Sequence, residues 1–335
     1  MVLKIGRMEH GPGNNIADVP GVTVGHCTVD TDQHKTGVTV VMPCSDDTFR
    51  NKMVAAGQVL NGFGKTAGLR QIQELGTLES PIALTNTLNV GLVHDALVEY
   101  MCLQAEKNGY AIRSVNPVVA ECNDASLNDI RHRSIGQKEV FSAIASASAD
   151  FAQGDVGAGK GMTCHDLKGG IGSSSRLIPI GDNTYTLGVL ALTNHGSLTD
   201  LTIGGKNIGM EIEQQIREDT PDEGSCILIV ATDLPVTSRQ LGRIIRRCSV
   251  GLARLGSFIG HGSGEVFIGF STANRIPHDA EFMNITCIHE SQINNAFRAA
   301  AEATEEAILQ SMLHAETVTG YSGKVRLSLT EFWHP

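Results

Sequence analysis

No window of the sequence is apolar for long enough to span a membrane, and Met1–Arg7 has no signal-peptide core. The expectation is a cytoplasmic protein with no membrane partner. The eight cysteines include no Cys-x-x-Cys pair, and their irregular spacing over 335 residues excludes a disulfide framework. Reduced, mostly buried thiols are expected instead. Basic residues are outnumbered, 26 against 36 acidic, so the net charge of −10 argues against a nucleic-acid partner. The basic cluster Arg243, Arg246 and Arg247 reads as a solvated face or an interface element. Twelve histidines form no His-x-x-x-His pair, and no metal or other cofactor is expected. There is no Gly-x-Ser-x-Gly elbow, which leaves Ser173, Ser174 and Ser175 without that nucleophile signature. The run Gly154–Gly161 resembles a phosphate loop but ends in glycine where the magnesium-holding Ser or Thr belongs, and no clear strand precedes it. It is expected to be a loop pressed against another backbone at the rim of a site.

What is present is an ordinary globular composition, 41% hydrophobic, in a chain long enough for one large domain or two. Alternating β-branched and polar residues predict strands near 22–26 and 37–41, and the glycine-rich stretch 57–68 predicts a loop. Apolar spacing predicts helices over 91–105, 137–152, 239–252 and 292–313. Strands are predicted at 187–192 and 226–231, with a last one at 325–329. Helices and strands alternate, so the fold class is α/β.

The most informative stretch is Asp222–Asp233, a Pro/Asp/Glu/Gly turn at 221–224 that opens into a β-branched run. Ser225 stands at the joint. Read alone, it is a loop serine before a core strand. A second glycine turn, Gly262-Ser263-Gly264-Glu265, also feeds an apolar run, and Ser263 and Glu265 share one face of an extended segment. A hydroxyl and a carboxylate there could assist a serine on a neighbouring strand. Glu121-Cys122-Asn123-Asp124 ends the apolar run Val118–Ala120, where an acidic surface turn and a binding group are both sensible readings. Asn194 closes another strand 31 residues before Ser225, either as a turn residue or as a donor to a site.

These segments, with Ile16–His26, Gly62–Lys65, Leu84–Thr87, Gly154–Gly159 and Ala315–Gly320, occur in an order that resembles the DmpA/BapA-type aminopeptidases, self-cleaving N-terminal-nucleophile-like hydrolases. The resemblance implies a layered αββα sandwich of the DmpA/ornithine-acetyltransferase-like fold. It implies a single catalytic domain over 1–335, cut between Gly224 and Ser225 into 1–224 and 225–335. Gly224 would permit a strained turn at the cut, and Ser225 would become an N-terminal nucleophile whose own α-amine is the general base. Ser263 and Glu265 would orient or relay protons, and Asn194 would hold the oxyanion. Glu121 would clamp the free amine of a peptide, amide or ester. Studied members have tyrosine where this chain has Asn123, a departure that bears on the oxyanion hole and on substrate preference. The family forms oligomers, commonly tetramers of cleaved heterodimers. Two other functions fit less well. An acyltransferase of the ornithine-acetyltransferase type would usually carry a threonine nucleophile, and an unprocessed, non-catalytic homologue would leave the site unused.

Overall fold

The computed structural model describes residues 4–216 and 224–334. Residues 221–223 of the turn predicted at 221–224 lie outside the described residues. The main strands in the first half are Thr23–Asp30 (β1), Lys35–Met42 (β2), Asn51–Gly62 (β3), Thr77–Leu78 (β4), Ile82–Asn86 (β5) and Val118–Cys122 (β6). They are followed by Thr163–Cys164 (β7), Leu167–Lys168 (β8), Ile171–Ile180 (β9), Asn183–Asn194 (β10), Thr202–Ile203 (β11), Lys206–Asn207 (β12), Ser225–Thr232 (β13) and Gly264–Pro277 (β14). The helices are Leu69–Leu75 (α1), Val90–Lys107 (α2), Gln137–Ala145 (α3), Gly209–Ile216 (α4), Ser238–Ile245 (α5), Cys248–Arg254 (α6) and Asn294–Leu313 (α7).

Two sheets carry the fold. One has four strands in the order β1-β2-β5-β6, the other six in the order β4-β3-β14-β13-β10-β9. Alternation along each strand decides what lies between them. Leu84, Val118, Ala120 and Cys122 of the first sheet meet Leu190, Leu192, Ile227 and Ile229 of the second in one apolar layer. The opposite face of the six-stranded sheet, with Val189, Cys226, Leu228 and Phe267, packs on α5, α6 and α7 through Leu241, Ile244, Leu252, Ala300 and Ile308. Val38, Val40, Ala83 and Val119 turn the other way and are covered by α2 and α3. This is the αββα sandwich expected. All eight residues of β13 are buried because sheet neighbours flank it on both edges and packed layers cover both faces, which is why its sequence is a continuous apolar run. Truncating Ile229 there would cost about 2–5 kcal/mol.

Several sequence expectations are corrected. Residues 57–62, expected in a loop, are the second half of β3. Their glycines admit neighbours, since a Cβ on Gly57 would lie 2.3 Å from Leu69 Cδ1. The helix expected over 137–152 stops at Ala145, where the Ser148 backbone pairs with Val24 in both directions at 3.0 Å. The single helix over 239–252 is two, α5 and α6, separated at Arg246 and Arg247. Of the arginines expected on a solvated face or at an interface, Arg246 is exposed, Arg243 pairs with Glu290, and the Arg247 guanidinium lies 3.8 Å from the Phe297 ring centroid. The last strand is only Val325–Arg326, because Ser328 caps a 3-10 turn at Leu329–Glu331.

Candidate active site

A cavity of about 870 Å³ opens where β6, β10 and β13 come together, and Glu121, Asn123, Thr163, Asn194, Gly224 and Ser225 are among its lining residues. Register brings the nucleophile candidate and its neighbours together. Ser225 is paired with Asn194 on the antiparallel β10 and with Gly264 on the parallel β14. Cys122, next to Glu121, crosses between the sheets and donates its thiol to the Ser225 carbonyl at 3.3 Å. The carboxylate candidate and the serine candidate thus arrive at one cavity from two different sheets.

Glycine is required around Ser225 by space. A Cβ on Gly264 would lie 2.5 Å from the Phe63 carbonyl oxygen and 3.0 Å from Ser225 Oγ. A Cβ on Gly224 would lie 1.9 Å from the Asn194 carbonyl oxygen. At Gly224 it is this close approach that excludes a side chain. The Gly264 N–H donates to the Gly224 carbonyl at 2.8 Å, so the carbonyl on the N-terminal side of Ser225 is already polarised by a backbone donor.

Asn194 is oriented by Thr163, whose N–H donates to its Oδ1 at 3.0 Å and whose hydroxyl does so at 3.3 Å. A backbone N–H needs an oxygen opposite it, which fixes the amide and leaves its NH₂ as the available end. Thr163 itself is presented by the short β7–β8 hairpin. Beneath that hairpin the wholly buried Lys168 ammonium donates to the carbonyls of Gly159 (3.0 Å), Met162 (2.9 Å) and Gly169 (2.6 Å). Burial pushes the Lys168 pKa down to about 7.

Glu121 is buried and held at both oxygens, Oε1 by the Lys65 N–H at 2.8 Å and Oε2 by the Thr87 hydroxyl. Asn123 is exposed, and its Oδ1 accepts the Ala125 N–H at 2.9 Å, so its carbonyl end closes its own turn. Ser263 donates to Glu265, and both are buried, but neither lines the cavity. They bracket Gly264 along β14, and alternation turns them to the opposite face from the Gly264 position that meets Ser225 Oγ.

Other polar groups are set aside by their surroundings. Burial, and next the neighbouring His165, push the His195 pKa down to about 3, so His195 is a poor general base. Burial and then the Glu121 and Glu265 carboxylates raise the Cys122 thiol well above its usual range. Burial also raises Cys226, which keeps both cysteines from competing as nucleophiles. All eight cysteines are free thiols. Ser173, Ser174 and Ser175 are buried, and Ser173 Oγ donates to the Val189 carbonyl at 2.7 Å. The loop 154–161 does press on backbone, with a Gly161 Cβ position 2.1 Å from the Lys35 carbonyl oxygen, but it stops short of the cavity, whose wall on this side begins at Thr163.

Thr163, Thr87, Lys168 and the Gly264 N–H carried no role in the sequence. Thr87 and Lys65 end two of the motifs quoted for the resemblance, which is the one signal that could have found them.

The model of peptidase family S58 matches residues 14–326. The chain is 38% identical to beta-peptidyl aminopeptidase BapA of Sphingosinicella xenopeptidilytica, over 93% of this chain and 84% of that protein. Among solved structures it is similar to the PH0078 protein of Pyrococcus horikoshii OT3, with a TM-score of 0.92 and 44% identity over 98% of this chain and 94% of that one. It is also similar to the L-aminopeptidase D-Ala-esterase/amidase of Ochrobactrum anthropi, with a TM-score of 0.90 and 31% identity over 97% and 93% of the two chains.

Proposed function

The chain belongs to peptidase family S58, and from that membership we propose that Ser225 is both the residue at which the chain cuts itself and the nucleophile of the mature enzyme. The protein is a serine aminopeptidase of the N-terminal-nucleophile type. The observation that carries the assignment is the register that sets Ser225 between Asn194 and Gly264 in the cavity shared with Glu121.

In the first stage the Ser225 hydroxyl attacks the Gly224 carbonyl, with the Gly264 N–H supporting the developing oxyanion. The amide nitrogen leaves in an N-to-O acyl shift. Water then hydrolyses the ester, giving fragments 1–224 and 225–335 that stay folded together. In the second stage the freed α-amine, with an ordinary pKa near ~8, takes the proton of its own hydroxyl. The hydroxyl attacks the substrate carbonyl, the amine or alcohol leaves with the proton held by the α-amine, and water hydrolyses the resulting acyl-enzyme to free the N-terminal residue and Ser225. The Asn194 NH₂, and the Gly264 N–H once Gly224 has moved off, hold the oxyanion. Glu121, fixed by Lys65 and Thr87, receives the substrate's ammonium, and Asn123 contributes at the rim of the same pocket. Ser263 and Glu265, buried on the neighbouring strand, act on the α-amine side of Ser225 as positioning residues.

The substrate is a peptide, amide or ester with a free N-terminal amine. Threonine-dependent acyl transfer of the ornithine-acetyltransferase type is disfavoured by the serine at position 225 and by the aminopeptidases among the relatives. We extend the proposal to a cytoplasmic oligomer of cleaved heterodimers. Free thiols support that compartment, and exposed apolar side chains such as Phe282, 91% exposed, support assembly. Among the described residues no helix is long and apolar enough to cross a membrane.

The test is the intact mass of the purified protein under denaturing conditions. Two chains split between Gly224 and Ser225 are expected. A single chain of 35.6 kDa that still hydrolyses amino-acid amides would overturn Ser225 as an N-terminal nucleophile.

A further inference from the structure

We propose that Cys164, His165 and His195 form a binding site for a borderline-soft divalent cation of the zinc class, directly behind the turn that carries Asn194. Their donor atoms, one sulfur and two ring nitrogens, all lie within 4.8 Å of one another, and all three residues are buried. A four-coordinate zinc site sets such donors about 3.5 Å apart, so ligation needs a closing movement on the order of 1 Å.

Four further observations point to the same place. His195 is 2% exposed, and among the described residues neither of its ring nitrogens has a hydrogen-bond partner. A buried imidazole with no hydrogen-bond partner costs stability in a native interior, and an ion is one of the few things that accounts for one. The His165 ring is set for ligation, since its Nδ1 is 2.9 Å from the Ser197 carbonyl oxygen. A carbonyl can only accept, so Nδ1 carries the hydrogen and Nε2 presents its lone pair, as in histidine ligands steadied by an outer acceptor. The backbone holds this ring at a cost: His165 and the following Asp166 both sit at positive φ, +49° and +59°, in the two-residue turn between β7 and β8. Space is also kept for it, because a Cβ on Gly196 would lie 2.5 Å from the His165 ring.

The donor set of one thiolate and two imidazoles suits zinc, and cobalt(II) as its spectroscopic substitute, better than magnesium or calcium. Binding forms three coordinate bonds and releases the Cys164 thiol proton to solvent. A fourth position remains for water. The ion would cross-link the tip of the β7–β8 hairpin to the end of β10. Those elements already meet in the Thr163–Asn194 hydrogen bond and in the His165 N–H to His195 carbonyl bond of 2.8 Å. It is therefore a fastener for the oxyanion-side asparagine and takes no part in the hydrolytic steps themselves.

The test is cobalt(II) titration of the full-length protein, followed by absorption and by competition with zinc. One cobalt per chain is expected, with a thiolate-to-metal band that zinc abolishes. Cys164→Ser and His195→Gln should each lose the band and weaken zinc binding by at least the roughly 10–100-fold that even outer partners of a metal ligand cost. Cys287→Ser, at an exposed cysteine, should keep both. Absence of the band, its survival in both ligand variants, or its loss in Cys287→Ser would overturn the site. If the ligand variants do not fold, X-ray absorption of the zinc-loaded wild type decides. Two nitrogen neighbours near ~2.0 Å and one sulfur near ~2.3 Å support the site, and a shell without sulfur refutes it.

Discussion

The two walls of the cavity are made by different means. On the six-stranded sheet, Ser225, Asn194 and Gly264 are neighbours because three strands are in register, and their spacing is set by backbone hydrogen bonds and by glycines that leave no room for a Cβ. On the four-stranded sheet, Glu121 is aimed by side-chain and loop donors, the Thr87 hydroxyl and the Lys65 N–H. The first wall is rigid and suits bond making, where displacement of about 1 Å can cost on the order of 10²-fold in rate. The second can be retuned by changing one side chain and suits recognition. With the roles proposed above, such a site separates chemistry from selectivity by which sheet a residue belongs to.

The hardest blow to the first wall is Ser225→Ala. It should leave one uncut chain in a denaturing mass spectrum and lower hydrolysis by on the order of 10⁴-fold or more. Asn194→Ala should still be tested on material shown to be cut. There kcat is expected to fall roughly 10²–10³-fold with little change in KM, and an effect confined to KM would move Asn194 to the recognition wall. Glu121→Gln attacks the second wall. Because a charge-assisted hydrogen bond is worth about 1.5–3 kcal/mol, kcat/KM for free-amine substrates should drop by roughly 10–100-fold. N-blocked esters should be nearly unaffected, and equal loss on both would erase the distinction between the walls.

An effect on stability and not on rate lies beneath the second wall. Burial raises the Asp124 carboxyl from its usual value to about 6. An acid raised on folding binds more protons in the folded state, so its contribution is fully present below about pH 4 and is lost as pH rises to about 6. Relative to Asp124→Asn, the wild type should therefore lose at most about 2–3 kcal/mol across that window in denaturant melts, and a flat difference would show that Asp124 is ionised throughout.

Legibility in the sequence follows the same division. The strand from Ser225 was readable because a core strand covered on both faces admits only a continuous apolar run. Glycine misled the reading of β3, since Gly57 looks like a loop residue until Leu69 is seen to occupy the space of its Cβ. The break between α5 and α6 was hidden because the apolar positions 241, 244, 245, 248 and 252 keep helical spacing across it. At the site, Ser225, Asn194 and Glu121 stood out once the order of motifs was recognised. Thr163 and Lys168 did not, because what they do is hold other groups in place, and nothing in their local pattern marks that. Cys164, His165 and His195 escaped as a group because the histidines are 30 residues apart in the chain and are joined only by the pairing of a hairpin tip with a strand end.

The hydrogen bond from the Gly264 N–H to the Gly224 carbonyl has a consequence in time. The donor lies 40 residues beyond the acceptor and reaches it only when β14 has docked parallel to β13 after the crossover through α5 and α6. Under the self-cleavage proposed above, the bond to be cut lacks its electrophilic help until then, so scission is postponed until the centre of the sheet is complete and a chain that stalls earlier stays in one piece. Under the same proposal the proportion of cut to uncut protein in a cell is a clock started by folding, readable on a denaturing gel from the fragment bands against the whole-chain band.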